Sequence, residues 1–427
     1  MTKLLIKNGR YINPKTNTDE VLDVLVQDGK ITDLKKEINL NGSTEIIDVK
    51  GLWVLPGLID IHCHLRDPGQ PEKETIGTGT KAAARGGFTS ICPMANTKPP
   101  IDTAALVEYV NKTNQKHGSV NIFQIAAVSK GLMQEELTPF EELKSAGAIG
   151  FSDDGKPIEN LSLLRHALEY AQMFDMNIVS HAEDSRLCCG GAVHEGHYSI
   201  KLGIPGIPSS SEAVCVAREI ELVRQTKGKI HFAHVSTKEA VKLIRQAQNE
   251  GLRVTAEVTP HHLVLTDEDI QDFSTNKKMN PPLRSKEDQE ELIKAVLDGT
   301  IGVFATDHAP HTFEEKSRSI VEAPFGIIGF ETALSLYLEV FYHTGKLSPL
   351  DFVKKMTVSP ASVLNIPRGS ISIGDVADIT VVNPDFGWTY DVNSTLSKSR
   401  NSPFHNRPLK GKAIYTIVNG KVIHKDR

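Results

Sequence analysis

His62 and His64 stand two residues apart at the end of an apolar run, Leu58-Ile59-Asp60-Ile61-His62-Cys63-His64. In an extended strand alternate side chains share a face, so both imidazoles point one way and Cys63 points the other. Two imidazoles on one face of a buried strand are the beginning of a metal site. Similar side chains close four further strand-like runs: Asp153-Asp154 after 148–151, His181 at the end of 177–181, His234 at the end of 229–234, and Asp307 after 301–306. Each has an ordinary reading when taken alone. A lone histidine is usually a satisfied polar residue, Asp153-Asp154-Gly155 makes a good turn, and Asp307 could cap the next segment. Four histidines at three strand ends and acids at two more point jointly to one site. Histidine and carboxylate donors without cysteine suit zinc or a similar divalent ion at a catalytic centre. Such an ion lowers the pKa of a bound water and polarises a carbonyl, so the chemistry is hydrolytic. Asp307, which closes the last run, is the natural carboxylate to take a proton from water and deliver it to a leaving nitrogen. His231 lies three residues before His234 and should point away from it; the roles of His261 and His262 stay open.

The elements that must position these residues alternate. Eight strand-like runs occupy 58–64, 88–92, 121–127, 148–151, 177–181, 229–234, 253–258 and 301–306. Helical stretches are expected between them, including 78–87 with a glycine stop, 239–250 and 287–297. Strict β/α alternation implies a parallel sheet, and eight strands predict closure into a TIM-like (β/α)8 barrel, whose C-terminal strand ends carry active sites. A doubly wound open sheet would give the same alternation but not the shared ligand placement. No dinucleotide fingerprint competes, since Gly77-Thr78-Gly79 does not follow a strand.

The two ends read differently from the middle and like each other. Asn8-Gly9 and Asp28-Gly29 interrupt β-rich runs near the N-terminus, and Asn419-Gly420 does so near the C-terminus, each a hairpin signal. One small β-sandwich domain built from residues 1–54 plus 366–427 is expected, with the barrel spanning 55–365.

Composition narrows the class. The 427 residues carry a formal charge of −5, with Lys and Arg dispersed, which gives no electrostatic case for nucleic acid. No apolar run reaches the length of a membrane span, and the start Met1-Thr2-Lys3-Leu4-Leu5-Ile6-Lys7 lacks the pattern of a secretory leader. Five cysteines are an odd and sparse count that argues against a disulfide framework. A cytoplasmic protein is expected, and triplets such as Asn41-Gly42-Ser43 are then chance matches to a glycosylation acceptor.

Longer motifs carry a resemblance. Pro56-Gly57-Leu58-Ile59-Asp60-Ile61-His62-Cys63-His64 resembles the opening motif of the cyclic amidohydrolases. More specific are His64-Leu65-Arg66-Asp67-Pro68-Gly69, Pro93-Met94-Ala95-Asn96-Thr97, Ala256-Glu257-Val258-Thr259-Pro260-His261-His262, Met279-Asn280-Pro281-Pro282-Leu283-Arg284 and Ala305-Thr306-Asp307-His308-Ala309-Pro310-His311. Together they resemble the dihydroorotases of the long bacterial type, over nearly the whole chain. That resemblance implies a distorted barrel with a β-sandwich from both termini. It also implies interconversion of (S)-dihydroorotate and N-carbamoyl-L-aspartate in pyrimidine synthesis. It assigns His62, His64 and Asp307 to one Zn2+, His181 and His234 to a second, and Asp154 to the bridge. Asp307 would be the general acid/base. Arg66 and Asn96, helped by Asn280 and His311, would grip the substrate carboxylate, with His64, Leu65, Phe325 and Gly326 completing the substrate contacts. A planar guanidinium suits a carboxylate, which agrees with the place of Arg66 two residues beyond a candidate ligand.

One departure matters. Hydantoinases, dihydropyrimidinases and several dihydroorotases carry a carboxylated lysine at the end of strand four, whereas Phe151-Ser152-Asp153-Asp154-Gly155 offers two aspartates and no lysine. Whether one or two ions bind is therefore open, and Asp154 is preferred to Asp153 on the resemblance alone. The alternatives are another cyclic amidase of allantoinase or hydantoinase type, or a catalytically silent homologue serving as a structural partner. The resemblance further implies a homodimer; association with aspartate transcarbamoylase is left open.

Overall fold

The computed structural model describes residues 3–39 and 44–426. The triplet Asn41-Gly42-Ser43 and residues 1, 2, 40 and 427 lie outside them. Five strands come first: β1 (Lys3–Asn13), β2 (Thr18–Gln27), β3 (Lys30–Lys35), β4 (Glu45–Asp48) and β5 (Trp53–Pro56). The barrel follows with β6 (Leu58–Cys63), β7 (Phe88–Pro93), β8 (Asn121–Ile122), β9 (Ile125–Ala126), β10 (Gly150–Phe151) and β11 (Asn177–Ser180). After the small parallel pair β12 (Val193–His194) and β13 (Gly206–Ile207), it continues with β14 (Ile230–Phe232), β15 (Val254–Val258) and β16 (Val303–Phe304). The chain ends with β17 (Ile379–Thr389), β18 (Pro408–Val418) and β19 (Lys421–Lys425).

The barrel strands pair in parallel as β6-β7-β8 and β9-β10-β11-β14-β15-β16. The expected third strand, 121–127, is thus two short pieces. Gln124 between them donates its side-chain amide to Pro93 O at 3.0 Å, and the β8 piece stays on β7 while the β9 piece joins β10. The circle closes at and just beyond the C-terminal ends of its first and last strands. Asp307 N donates to His62 O at 3.0 Å and His64 N donates to His308 O at 2.8 Å. The helices fall where apolar periodicity placed them, at Ile76–Arg85, Lys238–Asn249 and Lys286–Asp298. Each begins on a hydroxyl that caps a free backbone N–H, from Thr75, Thr237 and Ser285 respectively. Their buried faces press Ala82, Ala83, Ile244 and Leu292 onto the barrel wall.

The terminal strands form one eight-stranded sheet in the order β19-β18-β17-β5-β1-β2-β3, with β4 on β1. It has an apolar cluster of its own, including Ile6, Val24, Val54, Ile379 and Ile417. Two of the three hairpin signals act as turns. Asp28-Gly29 joins β2 to β3 and Asn419-Gly420 joins β18 to β19, all four residues at positive φ. Asn8-Gly9 instead forms a bulge inside a continuous β1, where the register to β2 shifts between Ile6 and Gly9. Asn8 takes the left-handed conformation (φ 62°) and donates its N–H to Asp23. Turn and bulge ask for the same backbone, so the dipeptide alone does not separate them. No helix among the described residues is long and apolar enough to cross a membrane.

Candidate active site

The C-terminal strand ends bring His62, His64, Asp154, His181, His234 and Asp307 into one buried cluster. Oδ1 of Asp154 lies 3.4 Å from His62 Nε2, 3.5 Å from His181 Nδ1 and 3.7 Å from His234 Nε2. Oδ1 of Asp307 lies 3.1 Å from His64 Nε2 and 3.6 Å from His62 Nε2. Two groups could each hold a cation, His62 with His64 and Asp307, and His62 with Asp154 and His234. Asp153 is turned away. Its carboxylate accepts from Val128 N at 2.8 Å, Ser129 N at 3.1 Å and the Ser129 hydroxyl, so it ties down the preceding loop.

The donor set fits a divalent ion on an observation of its own. His62 Nε2, Asp154 Oδ1 and His234 Nδ1 are buried polar atoms without a hydrogen-bond partner, and the first two face one another across the cluster. Leaving such atoms unpaired is costly, and a cation between His62 Nε2 and Asp154 Oδ1 would satisfy both. The ring orientations agree. His62 donates Nδ1–H to Glu257 at 2.7 Å, and His64 Nδ1 lies 2.9 Å from Asn96 Oδ1, which only accepts. In each ring the Nε2 edge then faces the cluster.

Burial opposes charge on His62, Asp154, His181, His234 and Asp307, yet the mutual field prevails for all but one of these five. Burial alone would raise the Asp307 carboxyl, but His62 and His64 bring it down to about 2. Asp154 likewise falls well below the usual carboxylate range against its burial, held there by His62, His181 and His234. Burial would lower His181, but Asp154 and Glu183 push it up to about 10. His234 is the exception, because burial and the neighbouring imidazoles leave it below its ordinary value.

Backbone geometry aims these groups. Arg66, His234 and Asp307 have φ of 58°, 33° and 44°, a left-handed conformation unfavourable for residues with a Cβ. Asp307 is further fixed from behind, because Asp60 accepts from Thr306 N at 2.9 Å and Thr306 Oγ1 at 2.7 Å.

Beside the cluster opens a cavity of about 280 Å³ lined by Arg66, Asn96, Asn280, Asp307, His311 and Phe325 among others. The Arg66 guanidinium is buried. It donates to Pro310 O at 3.2 Å and to His311 Nε2 at 3.3 Å, and it pairs with no carboxylate among the described residues. The Asn280 amide lies 3.2 Å from His181 Nε2. Asn96 is engaged twice, since it also donates to Asp154 O at 3.2 Å, so it orients two cluster members as well as facing the cavity. The Leu65 side chain packs into the barrel core, away from the cavity. Gly326 has φ 151°, and a Cβ there would stand 2.6 Å from Ala309 O and 2.7 Å from the His311 ring. A larger cavity, about 510 Å³, opens between Asn177, Arg253 and Thr300 and holds none of these residues.

Glu257 had no role in the sequence reading, although a glutamate inside a buried strand is itself a signal. It is fully buried, and its second oxygen lies 3.1 Å from His231 Nε2. His231 thus stands behind His62, outside the cluster. His261 and His262 both pack on the Thr259 hydroxyl at 2.9 and 2.6 Å, and His262 donates to Pro281 O, so they brace the loop that carries Asn280.

A closed β/α barrel with a terminal sheet and a His/Asp cluster at its strand ends defines a metal-dependent cyclic amidohydrolase. Solved structures agree. The L-hydantoinase (dihydropyrimidinase) from Arthrobacter aurescens superposes with a TM-score of 0.90 at 26% identity, covering 100% of this chain and 96% of that one. A dihydropyrimidinase from Brevibacillus agri gives 0.86 at 23% identity over 99% and 95% of the two chains, a likeness of fold. A family model described as dihydro-orotase-like matches residues 51–240. The dihydroorotase of Acetivibrio thermocellus is 48% identical over 99% of both chains, and that of Pelotomaculum thermopropionicum is 48% identical over 100% of this chain and 99% of its own. The chain belongs to the dihydroorotase family.

Proposed function

We propose that this enzyme interconverts (S)-dihydroorotate and N-carbamoyl-L-aspartate in pyrimidine biosynthesis. The observation that carries the choice of substrate is the buried Arg66 guanidinium, which faces the cavity without a carboxylate partner among the described residues. A buried cation of that kind calls for an anion, and the dihydroorotate carboxylate supplies one. A hydantoin or allantoin ring does not.

His62, His64 and Asp307 would hold one ion, and Asp154, His181 and His234 a second, with Asp154 central to both. Donors of this type without cysteine favour zinc. When bound, the metal supplies an activated water and a polarised carbonyl. The chain's own residues do the rest. Arg66, with Asn280 and His311, holds the carboxylate, so the ring amide lies over the cluster. Asp307 takes a proton from the attacking water as its oxygen bonds to the carbonyl carbon. It hands that proton to the amide nitrogen as the C–N bond breaks. The surrounding imidazoles keep Asp307 ionised against its burial before the proton arrives.

We take 1–54 with 366–427 as the sheet domain and 55–365 as the barrel; the sheet's own apolar cluster around Ile6, Val54 and Ile379 supports the division, while Ile12, Trp53, Val382 and Ala413 join the barrel's cluster across the boundary. A homodimer is carried over from the resemblance and a cytoplasmic location from the composition, with association with aspartate transcarbamoylase left open; light scattering with and without the transcarbamoylase reads the oligomer and the association. The deciding assay for the activity is turnover of dihydroorotate against hydantoin and allantoin by zinc-loaded protein. Preference for either uncharged ring would overturn the assignment, and so would a metal content of zero after reconstitution.

A further inference from the structure

The substrate cavity is walled by two loops that do not follow one another closely in the chain. One carries Ala309 to His311 after the last barrel strand; the other carries Phe325 to Ile328. Between them sits one side chain from the C-terminal unit, Asn401, only 3% exposed. Its Nδ2 donates to Ala309 O at 2.9 Å and to Gly326 O at 3.0 Å. Its Oδ1 accepts from His311 N at 3.1 Å, and its backbone carbonyl accepts from Ile328 N at 3.0 Å. Two carbonyls can only accept and one N–H can only donate, so the orientation of the amide is fixed by its partners.

We propose that Asn401 is a positioning residue for substrate binding, which sets His311 and the Phe325-Gly326 backbone at the spacing the carboxylate pocket requires. It does not line the cavity and acts through those neighbours. The spacing is tight, since a Cβ on Gly326 would already collide with Ala309 O and the His311 ring. His311 in turn meets Arg66 at 3.3 Å, so a shift of its loop moves the guanidinium's neighbour as well. The segment leading to Asn401 is anchored along its length. Ser397 donates to Glu74, and Ser399 Oγ donates to Lys73 O at 2.7 Å. Carboxamide chemistry is specifically required. An aspartate at 401 would turn a carboxylate oxygen toward two carbonyl oxygens, and an alanine would leave three buried backbone groups unpaired.

The inference rests on the dihydroorotase reading, so wild-type turnover of dihydroorotate is measured first; an inert wild type defeats that reading and this one with it. Given an active wild type, Asn401→Ala and Asn401→Asp should raise KM about tenfold or more while kcat changes much less. Amide exchange should quicken in the peptides spanning 309–312 and 324–328 with no substrate present. The double variant His311→Ala/Asn401→Ala should lose less binding than the two single losses added together, because part of the Asn401 effect runs through His311. Three results overturn the proposal: unchanged KM in both single variants, parallel loss of kcat with KM unmoved, or simple additivity with His311→Ala. Thermal stability within a few degrees of wild type separates these outcomes from a failure to fold, and if Asn401→Ala falls outside that range the isosteric Asn401→Asp decides.

Discussion

The carboxylate of Glu257 joins two histidines of unlike function, accepting from His62 Nδ1 at 2.7 Å with one oxygen and facing His231 Nε2 at 3.1 Å with the other. Burial works against its charge, yet the two imidazoles hold the carboxyl far below its ordinary range. It therefore stays an anion at any working pH and fixes which nitrogen His62 presents to the cluster.

Glu257→Gln keeps the shape but removes the charge and can place a donor against His62. Loss of such a supporting carboxylate costs about 10- to 100-fold in metal affinity or activity. Metal retained against a graded series of chelator concentrations should fall by that factor, and a wild-type retention curve would show that Glu257 only fills space.

Asp307→Asn preserves size and the Asp307 N bond to His62 O while removing the proton acceptor. Turnover should drop about 10²- to 10⁴-fold with the circular dichroism spectrum unchanged. Near-normal kcat would take Asp307 out of the proton transfer and leave it only a candidate ligand.

Arg66→Lys retains a charge but not the fork that reaches both Pro310 O and His311. KM should rise about tenfold with a smaller change in kcat, since one geometry-specific pair of hydrogen bonds is lost. An unaltered KM would place the carboxylate elsewhere in the cavity.

Lys316 gives a pH signature in stability. Its ammonium is buried, donates to Pro324 O at 2.9 Å and is lowered from 10.5 to about 7 by burial first and the charge of Lys278 second. Between about 7 and 10.5 the unfolded chain then binds more protons than the folded one, so stability rises with pH across that window. Below it both states are protonated and the burial penalty is fully present. Melting temperatures of Lys316→Met should rise less between pH 7 and 10, with the buried Lys278 and Lys355 still contributing; matching slopes in variant and wild type would refute the account.

Much of this was written in the chain. Eight apolar runs located the barrel strands, and the two-residue spacing of His62 and His64 put both rings on one face, because strand periodicity is local. What escaped was set by distant contacts. Asn8-Gly9 is a bulge because β1 continues past it under Val54, which no dipeptide encodes. Asp153 and Asp154 differ only in which way a two-residue strand end turns, and Ser129 settles it by binding the former. Glu257 stood inside a quoted motif without a role, since its meaning depends on His62 far earlier in the chain. Asn401 carries no motif at all; only the fold delivers it between the two loops.

The seam where the barrel closes has a consequence for how the molecule comes into being. Asp307 N to His62 O and His64 N to His308 O join residues that are born far apart on the ribosome. Bringing such distant partners together carries a loop-closure cost that local contacts do not. The cluster is therefore a latch on a finished ring: a nascent chain still short of its eighth strand offers only part of the ligand set, and full-strength capture of the ion reports that the circle is complete.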